Sequence, residues 1–581
     1  MDGVPARWTL REASPWPARL LAGVVALLVT APVLAPGFVL LRDMVFVPRQ
    51  DLDLDALGLG GGLPRAVPVD AVMALLTSVV PGDLVQKAVL VLTVYAAVLG
   101  AARLVPAGDD GRRSTAGAVA GLVYGWSPYL AERLLEGHWT LLLAYAALPW
   151  IARAALGVRD GAPGALPRLV LACAPAALTP TGAVLAGGVV VALAGRRALP
   201  LAGSAVVALA LPWIVAGALH PSGGASDPAG VAAFAARGEG WGGPLLSLLA
   251  GAGIWNADAV PASRGSALVP VTTLLLVGLA AVGWSTREAL RGPGRRLVAL
   301  GTVGLLLALA ATLPGTSQLL EFAVREVPGA GLLRDAQKWV AWWGLPLAVG
   351  AGLGARRLGR QVRVEGLPGL GAVVAGTALL LPVIAVPDLV WGVGGRLDPV
   401  RYPAEWGHVR EALAAEAGDG DVLVLPFGAY RAFAWNDSRP QLDPAQRWLP
   451  RPVVVDDELV VGPTVVAGED LRAREVATAV GDPDRLAGLG IGWVLVERDT
   501  PGRAVPAAVD ALPQVVDGVG LDLYRVPGAV PGAAPSLGRV TAVVLAHVCA
   551  LLTVVGAGLW ITTLPSTVTL RRRSPRKRVP G

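Results

Sequence analysis

The chain reads as mainly α: a polytopic membrane helical bundle of about twelve spans with a small extracytoplasmic α/β domain. Three observations predict this. Of its 581 residues 54% are hydrophobic and only 16% charged, and the mean hydropathy of +0.59 is too high for a soluble protein of this size. The apolar residues fall into runs of roughly 20, the length that crosses a bilayer as a helix. One hydrophilic block, from about Gly392 to Gly538, breaks that texture with short β-like runs.

Taken in order, apolar runs lie near residues 20–41, 85–105, 115–130 and 139–156. A short pair follows at 169–179 and 181–195, interrupted by Pro175 and Pro180, and reads either as two spans or as a re-entrant hairpin. Further runs occupy 198–219, 266–285, 297–313, 339–355, 368–388 and 539–564. The first, preceded by Arg7, Arg11 and Arg19, is longer than a signal-peptide core and is taken as the first span. Between the first two, PVDAVMALLTSVV from Pro68 to Val80 is amphipathic and suits a helix lying along the membrane surface.

Arginine sets the orientation, because short basic loops stay cytoplasmic. Arg112 and Arg113, Arg153 to Arg168, Arg196 and Arg197, Arg287 to Arg296, Arg356 to Arg363 and the tail RRRSPRKR all fall in alternate connections. Both termini are therefore expected in the cytoplasm, in a cell membrane protein whose 392–538 block is extracytoplasmic. The division is 1–391 for the bundle with its outer loops, 392–538 for the α/β domain, 539–564 for the final span and 565–581 for the basic tail. Within the block DVLVLPF, GIGWVLVE and LDLYRVP read as strands, and 404–417 and 468–480 as helices.

Composition excludes several functions. The formal charge of +6 is spread in clusters between apolar runs, a pattern of membrane orientation that implies no nucleic-acid partner. Cys173 and Cys549 lie inside apolar runs and suggest neither a disulfide nor a metal site. There is no GxxxxGK[ST], HExxH or CxxC, and acidic and basic residues lie at the ends of the predicted spans and not near their midpoints.

Charge gathers instead at the ends of the runs. Asp43, in LLRDMVF, follows the first run; a partly desolvated carboxylate there, beside Arg42 or Arg49, could accept a hydroxyl proton, or could simply end a helix and pair with an arginine. Asp51, Asp53 and Asp55 alternate but lack the glycine and terminal glutamate of a calcium loop, so they read as a solvated face. In YGWSPYLAERLLEGHW, Glu132 with Glu136 and Tyr129 with Arg133 share helix faces, and His138 follows at once. Histidine beside a glutamate at a membrane rim can orient a phosphate or act as an acid. The loop from His220 to Arg264 carries glycines with Trp255 and Asn256, a weaker signal. In GAGLLRDAQKW, Arg334 and Lys338 stand four apart, one helical turn, and could clamp a phosphate; Asp335 and Lys338 could equally form a rim ion pair.

LLRDMVF, YGWSPYLAERLLEGHW, GAGLLRDAQKW and the closing GIGWVLVE to LDLYRVP resemble the GT-C superfamily of membrane glycosyltransferases, and more narrowly the bacterial YfhO-like and arabinofuranosyltransferase-like membrane proteins. The similarity covers most of the chain as architecture, through short and degenerate motifs. It implies an inverting transfer of a sugar from a polyprenyl-phosphate donor to a cell-envelope glycan or lipid acceptor on the outer face, with the lipid bilayer as the medium. By resemblance Asp43 is the candidate base, Arg42, Arg334, Lys338 and His138 the groups near the phosphate, and Glu136 a ligand for a sugar hydroxyl or a cation. No cofactor is required, although a divalent cation is compatible with the scheme. LLRDMVF departs from relatives that carry paired acids, which leaves a lost activity open. The alternatives are a flippase of a lipid-linked glycan and a non-catalytic cell-envelope assembly subunit.

Overall fold

A computed structural model describes residues 16–106, 114–220, 226–364, 368–416, 419–530 and 532–563. Arg7, Arg11, Arg112, Arg113 and the basic tail lie outside the described residues. Each apolar run contributes a helix: α1 Trp16–Thr30, α2 Gly82–Leu104, α3 Ser114–Gly125, then, after the short α4 Pro128–Leu135, α5 Trp139–Arg159. Next come α6 Ala165–Ala177, α7 Pro180–Leu193, α8 Leu199–Ala218, α9 Leu268–Trp284, α10 Pro293–Ala310, α11 Val340–Val364, α12 Pro368–Ala385 and, after the hydrophilic block, α13 Leu537–Thr563.

Among the described residues five helices are long and apolar enough to cross a membrane, or six if the bent pair Gly369–Ala385 and Pro387–Gly395, broken by 71°, is one span. The expected twelve spans are thus recovered only in part. Local chemistry explains part of the shortfall. Ser127 caps a new helix with Pro128 at its first position, which cuts the 115–130 run in two, and Thr179 with Pro180 keeps the 169–195 stretch as two short helices. Packing inside the bundle relies on small residues. At the α9–α11 crossing a Cβ on Gly354 would come within 2.0 Å of the Leu279 carbonyl oxygen, so only glycine allows this approach.

The first run is the main correction. α1 stops at Thr30, where a 3-10 turn begins at Pro32, and Pro36 and Gly37 then turn the chain. Residues 38–44 are therefore not the end of a span but a buried, non-helical segment. Its backbone polar groups are satisfied by distant partners, as burial demands. Gln86, itself buried in α2, accepts from Val39 N at 2.9 Å and donates to Val39 O at 2.7 Å. Phe38 pairs with Val400.

The hydrophilic block carries a five-stranded sheet of order β4-β1-β7-β9-β8. Its strands are β1 Asp421–Leu425, β4 Val453–Val454, β7 Ile491–Glu497, β8 Gln514–Asp517 and β9 Leu521–Arg525. β4, β1 and β7 run parallel, while β9 and β8 are antiparallel. Val422 and Val424 pack on one face with Trp406 and Trp493, and Leu423 and Leu425 on the other with Val494 and Val476. Both faces are covered, which is why β1 and β7 read as unbroken apolar runs. Two smaller ribbons join β2 Tyr430–Arg431 to β3 Gln441–Leu442, and β5 Leu459–Val461 to β6 Thr464–Val466.

Ion pairs seat this α/β unit on the loop after α1. Arg410 pairs with Asp51 at 2.5 Å, Arg65 with Asp457 at 2.6 Å and Arg447 with Asp70 at 3.3 Å. Asp53 caps a short helix, accepting from Ala56 N at 2.8 Å. Asp51 and Asp53 thus have structural partners. α3's neighbour α11 reaches the opposite end of the bundle, where Arg356 donates to Pro106 O at 2.7 Å and Arg153 to Arg103 O at 3.1 Å. Arginine collects at that end, and Asp43 lies at the other.

Candidate functional site

Arg42 and Asp43 are held from both sides. The β2–β3 ribbon bridges to the segment at Arg42: Arg42 N donates to Pro440 O at 2.6 Å, and Leu442 N donates to Arg42 O at 2.8 Å. Arg42 takes φ of 47° there, a left-handed conformation costly for a residue that carries a Cβ and the kind of strain that clusters at functional sites. From the bundle side, Asp43 N donates to Glu136 O at 3.3 Å. Gly137, at φ +77°, makes that approach possible, because a Cβ would meet Leu41 O and Met44 N at 2.4 Å. The same glycine ends α4, so one residue stops the helix and admits the Asp43 loop.

α4 delivers the charged face. Arg133, whose side chain is fully buried, grips Asp335 with two hydrogen bonds of 2.7 and 3.0 Å and donates to Gln337 Oε1 at 2.9 Å. Its Nη1 also lies 2.7 Å from His138 Nδ1. A guanidinium only donates, so Nδ1 is the acceptor and the imidazole hydrogen sits on Nε2. That Nε2 faces Asp43 Oδ2 at 3.2 Å. Arg133 thus donates both ways, to Asp335 and to His138, and His138 donates on to Asp43. Tyr430, from β2, donates its hydroxyl to the other oxygen of Asp43.

The electrostatics follow from this geometry. Burial pushes the Asp43 carboxyl up, but hydrogen bonds from His138 and Tyr430 and the charge of Arg447 outweigh it and hold it below the usual carboxylate range. Its side chain keeps 37% of its surface exposed, so it is ionised and reachable. Burial would also raise Asp335, yet Arg133 brings it down to about 2. For Lys338 burial wins over the neighbouring Asp335, and the ammonium falls to about 8. Glu136 is raised by burial, against the charge of Arg42, whose Nε stands 3.8 Å from its Oε2. Asn256 donates to the same Glu136 oxygen at 2.8 Å.

The structure brings Arg42, Asp43, Glu136 and His138 into mutual contact and places Lys338 next along, within the field of Asp335 and donating to Thr181 Oγ1 at 3.1 Å. Arg334 is turned elsewhere. Residues 334–336 form a turn between two 3-10 segments instead of the helix its spacing suggested, and Arg334 pairs with Glu469 of the α/β unit at 2.7 Å. Tyr430 and Gln337 escape a reading of the sequence, and no local pattern marks them. Asn256 was marked only by its glycine-rich loop, which Glu132 holds by accepting from Ile254 N at 3.1 Å. Among the described residues no three His, Cys, Asp or Glu side chains gather as a metal site.

No protein-family model matches the chain, and no curated protein does. Solved structures do. The cryo-EM structure of arabinofuranosyltransferase AftD from Mycobacteria matches with a TM-score of 0.56 at 20% identity, over 89% of this chain and 40% of that one. A mutant form of the same protein matches with a TM-score of 0.54 at 19% identity, over 91% and 42%. The chain thus spans about 40% of the length of that structure. At this identity the likeness shows the fold alone: over most of its length the chain shares the fold of that arabinofuranosyltransferase structure.

Proposed function

We propose that the chain is a membrane glycosyltransferase that moves a sugar from a polyprenyl-phosphate donor to a cell-envelope glycan or lipid acceptor on the outer face of the membrane, with inversion. The observation that carries this reading is Asp43, an ionised and partly open carboxylate held by His138 on a fold shared with an arabinofuranosyltransferase. Asp43 takes the proton of the acceptor hydroxyl. The freed oxygen bonds to the anomeric carbon as the bond from that carbon to the phosphate oxygen breaks, and polyprenyl phosphate leaves with the electron pair. Lys338 steadies the phosphate and Glu136, with Asn256, takes sugar hydroxyls. Arg42 fixes Glu136, His138 fixes Asp43, and Arg334 holds the α/β unit through Glu469. The scheme calls for no metal, since the departing phosphate carries its own charge; adding and chelating divalent cations in the assay tests that part.

The deciding experiment uses the protein in lipid nanodiscs with labelled polyprenyl-phosphate pentoses and hexoses and a glycan acceptor, scoring release of polyprenyl phosphate. Release that Asp43→Asn abolishes supports the reading. Release unchanged in that variant removes Asp43 as the base, and donor movement across the bilayer without transfer makes the chain a flippase.

A further inference from the structure

One acid on α4 takes no part in the chemistry proposed for Asp43. Glu132 lies one helical turn before Glu136, and Glu136 N donates to Glu132 O at 2.8 Å, so the two side chains share a face. Glu136 meets Arg42 and Asn256. Glu132 is fully buried and meets Glu239 and Arg264, both from the loop between α8 and α9. These two are sealed with it, their side chains keeping 2% and 0% of their surface.

Donors decide which of the two acids is charged. Glu239 Oε2 accepts from Arg264 Nε at 2.9 Å and its Oε1 accepts from Gly253 N, so both oxygens are acceptors and Glu239 is the carboxylate. Glu132 Oε2 accepts from Ile254 N at 3.1 Å and from Gln337 Nε2 at 3.3 Å. No donor reaches its buried Oε1 among the described residues. One guanidinium offsets one of these acids, and a second sealed carboxylate would stand uncompensated. Burial first, then Glu239, pushes the Glu132 carboxyl well above the usual range. A proton on Glu132 supplies the missing bond, from its hydroxyl to Glu239, which lies within hydrogen-bond reach.

The cluster reaches the Asp43 site through the loop. Gly253 and Ile254 hand consecutive N–H groups to the two acids, a turn that Gly253 allows at φ +96°. Two residues on, Asn256 Nδ2 donates to Glu136 Oε2 at 2.8 Å. Four helical residues rise about 6 Å, within the span of two residues of open chain, at most about 7 Å. The loop is thus held on α4 at two points in register. We infer that Glu132, protonated and hydrogen-bonded to Glu239, is a positioning residue that clasps the 253–256 stretch to α4 and sets Asn256 against Glu136. The clasp stands apart from the transferase reading; its effect on sugar rests on that reading, in which Asn256 and Glu136 take sugar hydroxyls.

The test separates reach from charge by hydrogen–deuterium exchange of the full chain in nanodiscs, read on a peptide over residues 250–258. Glu132→Gln keeps the length and both hydrogen-bonding roles of a neutral acid, and is expected to exchange within about twofold of wild type. Glu132→Asp keeps the acid but falls one methylene short of Ile254, and is expected to exchange about tenfold faster there, with peptides of the α/β unit unchanged. Faster exchange in Glu132→Gln makes Glu132 the charged partner of Arg264, and unchanged exchange in Glu132→Asp shows that it does not hold the loop; either result overturns the inference. Exchange needs no substrate, so a chain that transfers no sugar still decides the clasp. Where transfer is seen, Glu132→Asp should raise the Michaelis constant for the sugar donor about tenfold with kcat nearly kept, and adding Asn256→Ala should change it less than about twofold further. Full additivity of the two substitutions overturns the link from Glu132 to Asn256.

Discussion

Arg133 in the bundle and Arg431 in the α/β unit are alike at first sight: each is buried, and each is gripped by acids. Arg431 pairs with Glu497 and, at 2.9 Å, with Asp443, and the two carboxylates have side chains that are 0% exposed. Arg133 pairs with Asp335, whose side chain is 20% exposed, and passes its remaining hydrogen bond to His138 and so to Asp43. The first cluster is closed and ends where it begins. The second opens at one edge onto the surface that Asp43 shares with Tyr430. One ion-pair chemistry therefore serves as scaffold when sealed and as the back wall of a site when one side is left open. Burial decides between them, because a sealed carboxylate can exchange neither proton nor partner.

The largest effect is expected from Asp43→Asn, about 10³-fold to 10⁴-fold in transfer rate with unchanged thermal unfolding, because the variant keeps shape and loses only the base. A comparable loss of unfolding temperature would put Asp43 with the scaffold. Arg431→Met should do the reverse, costing about 3–5 kcal/mol of stability by leaving buried acids uncompensated. Chemical denaturation measures this; an activity loss with normal stability would show that the sealed cluster is not merely scaffold.

The pH profile gives a smaller effect. Lys338, lowered to about 8, is charged below that pH and neutral above it, so its hold on a phosphate is lost as pH rises through 8. The Michaelis constant for the donor should climb about tenfold per unit above that point, and Lys338→Arg, which stays charged, should flatten the climb. The smallest effect belongs to the seam between the two regions. Arg65 is 52% exposed in its pairs with Asp457 and Glu469, so Arg65→Ala should cost under about 1 kcal/mol of stability and fade with salt.

Much of this arrangement was legible in the residues alone. Apolar runs longer than a soluble helix needs became the helices, and the unbroken β1 and β7 stretches became the sheet. Alternate arginine clusters marked the end of the bundle opposite Asp43. Glu136 and His138 were readable beside Asp43 because they are tied to helix ends on the same side. What escaped had long-range causes. Phe38 to Leu41, just before Asp43, was taken for the end of the first helix because it is apolar, and its real support, Gln86, mimics a peptide group from another helix. Arg334 was placed on a helical face because spacing was the only cue, whereas Glu469 in the distant unit decides where it points. Tyr430 reaches Asp43 across nearly four hundred residues through a ribbon only two residues per strand.

That last contact has a consequence for how the site is used. The Tyr430 phenol is itself a hydroxyl handing its hydrogen to Asp43, the same posture a sugar alcohol adopts before it attacks. On the proposed reading this phenol, whose own pKa is pushed well above the usual phenol range, first by burial and then by Asp43, occupies the seat of the incoming alcohol. On the proposed reading an acceptor docks by trading one O–H for another, with little change in hydrogen-bond count, and the β2–β3 ribbon is the part that must yield to let it in.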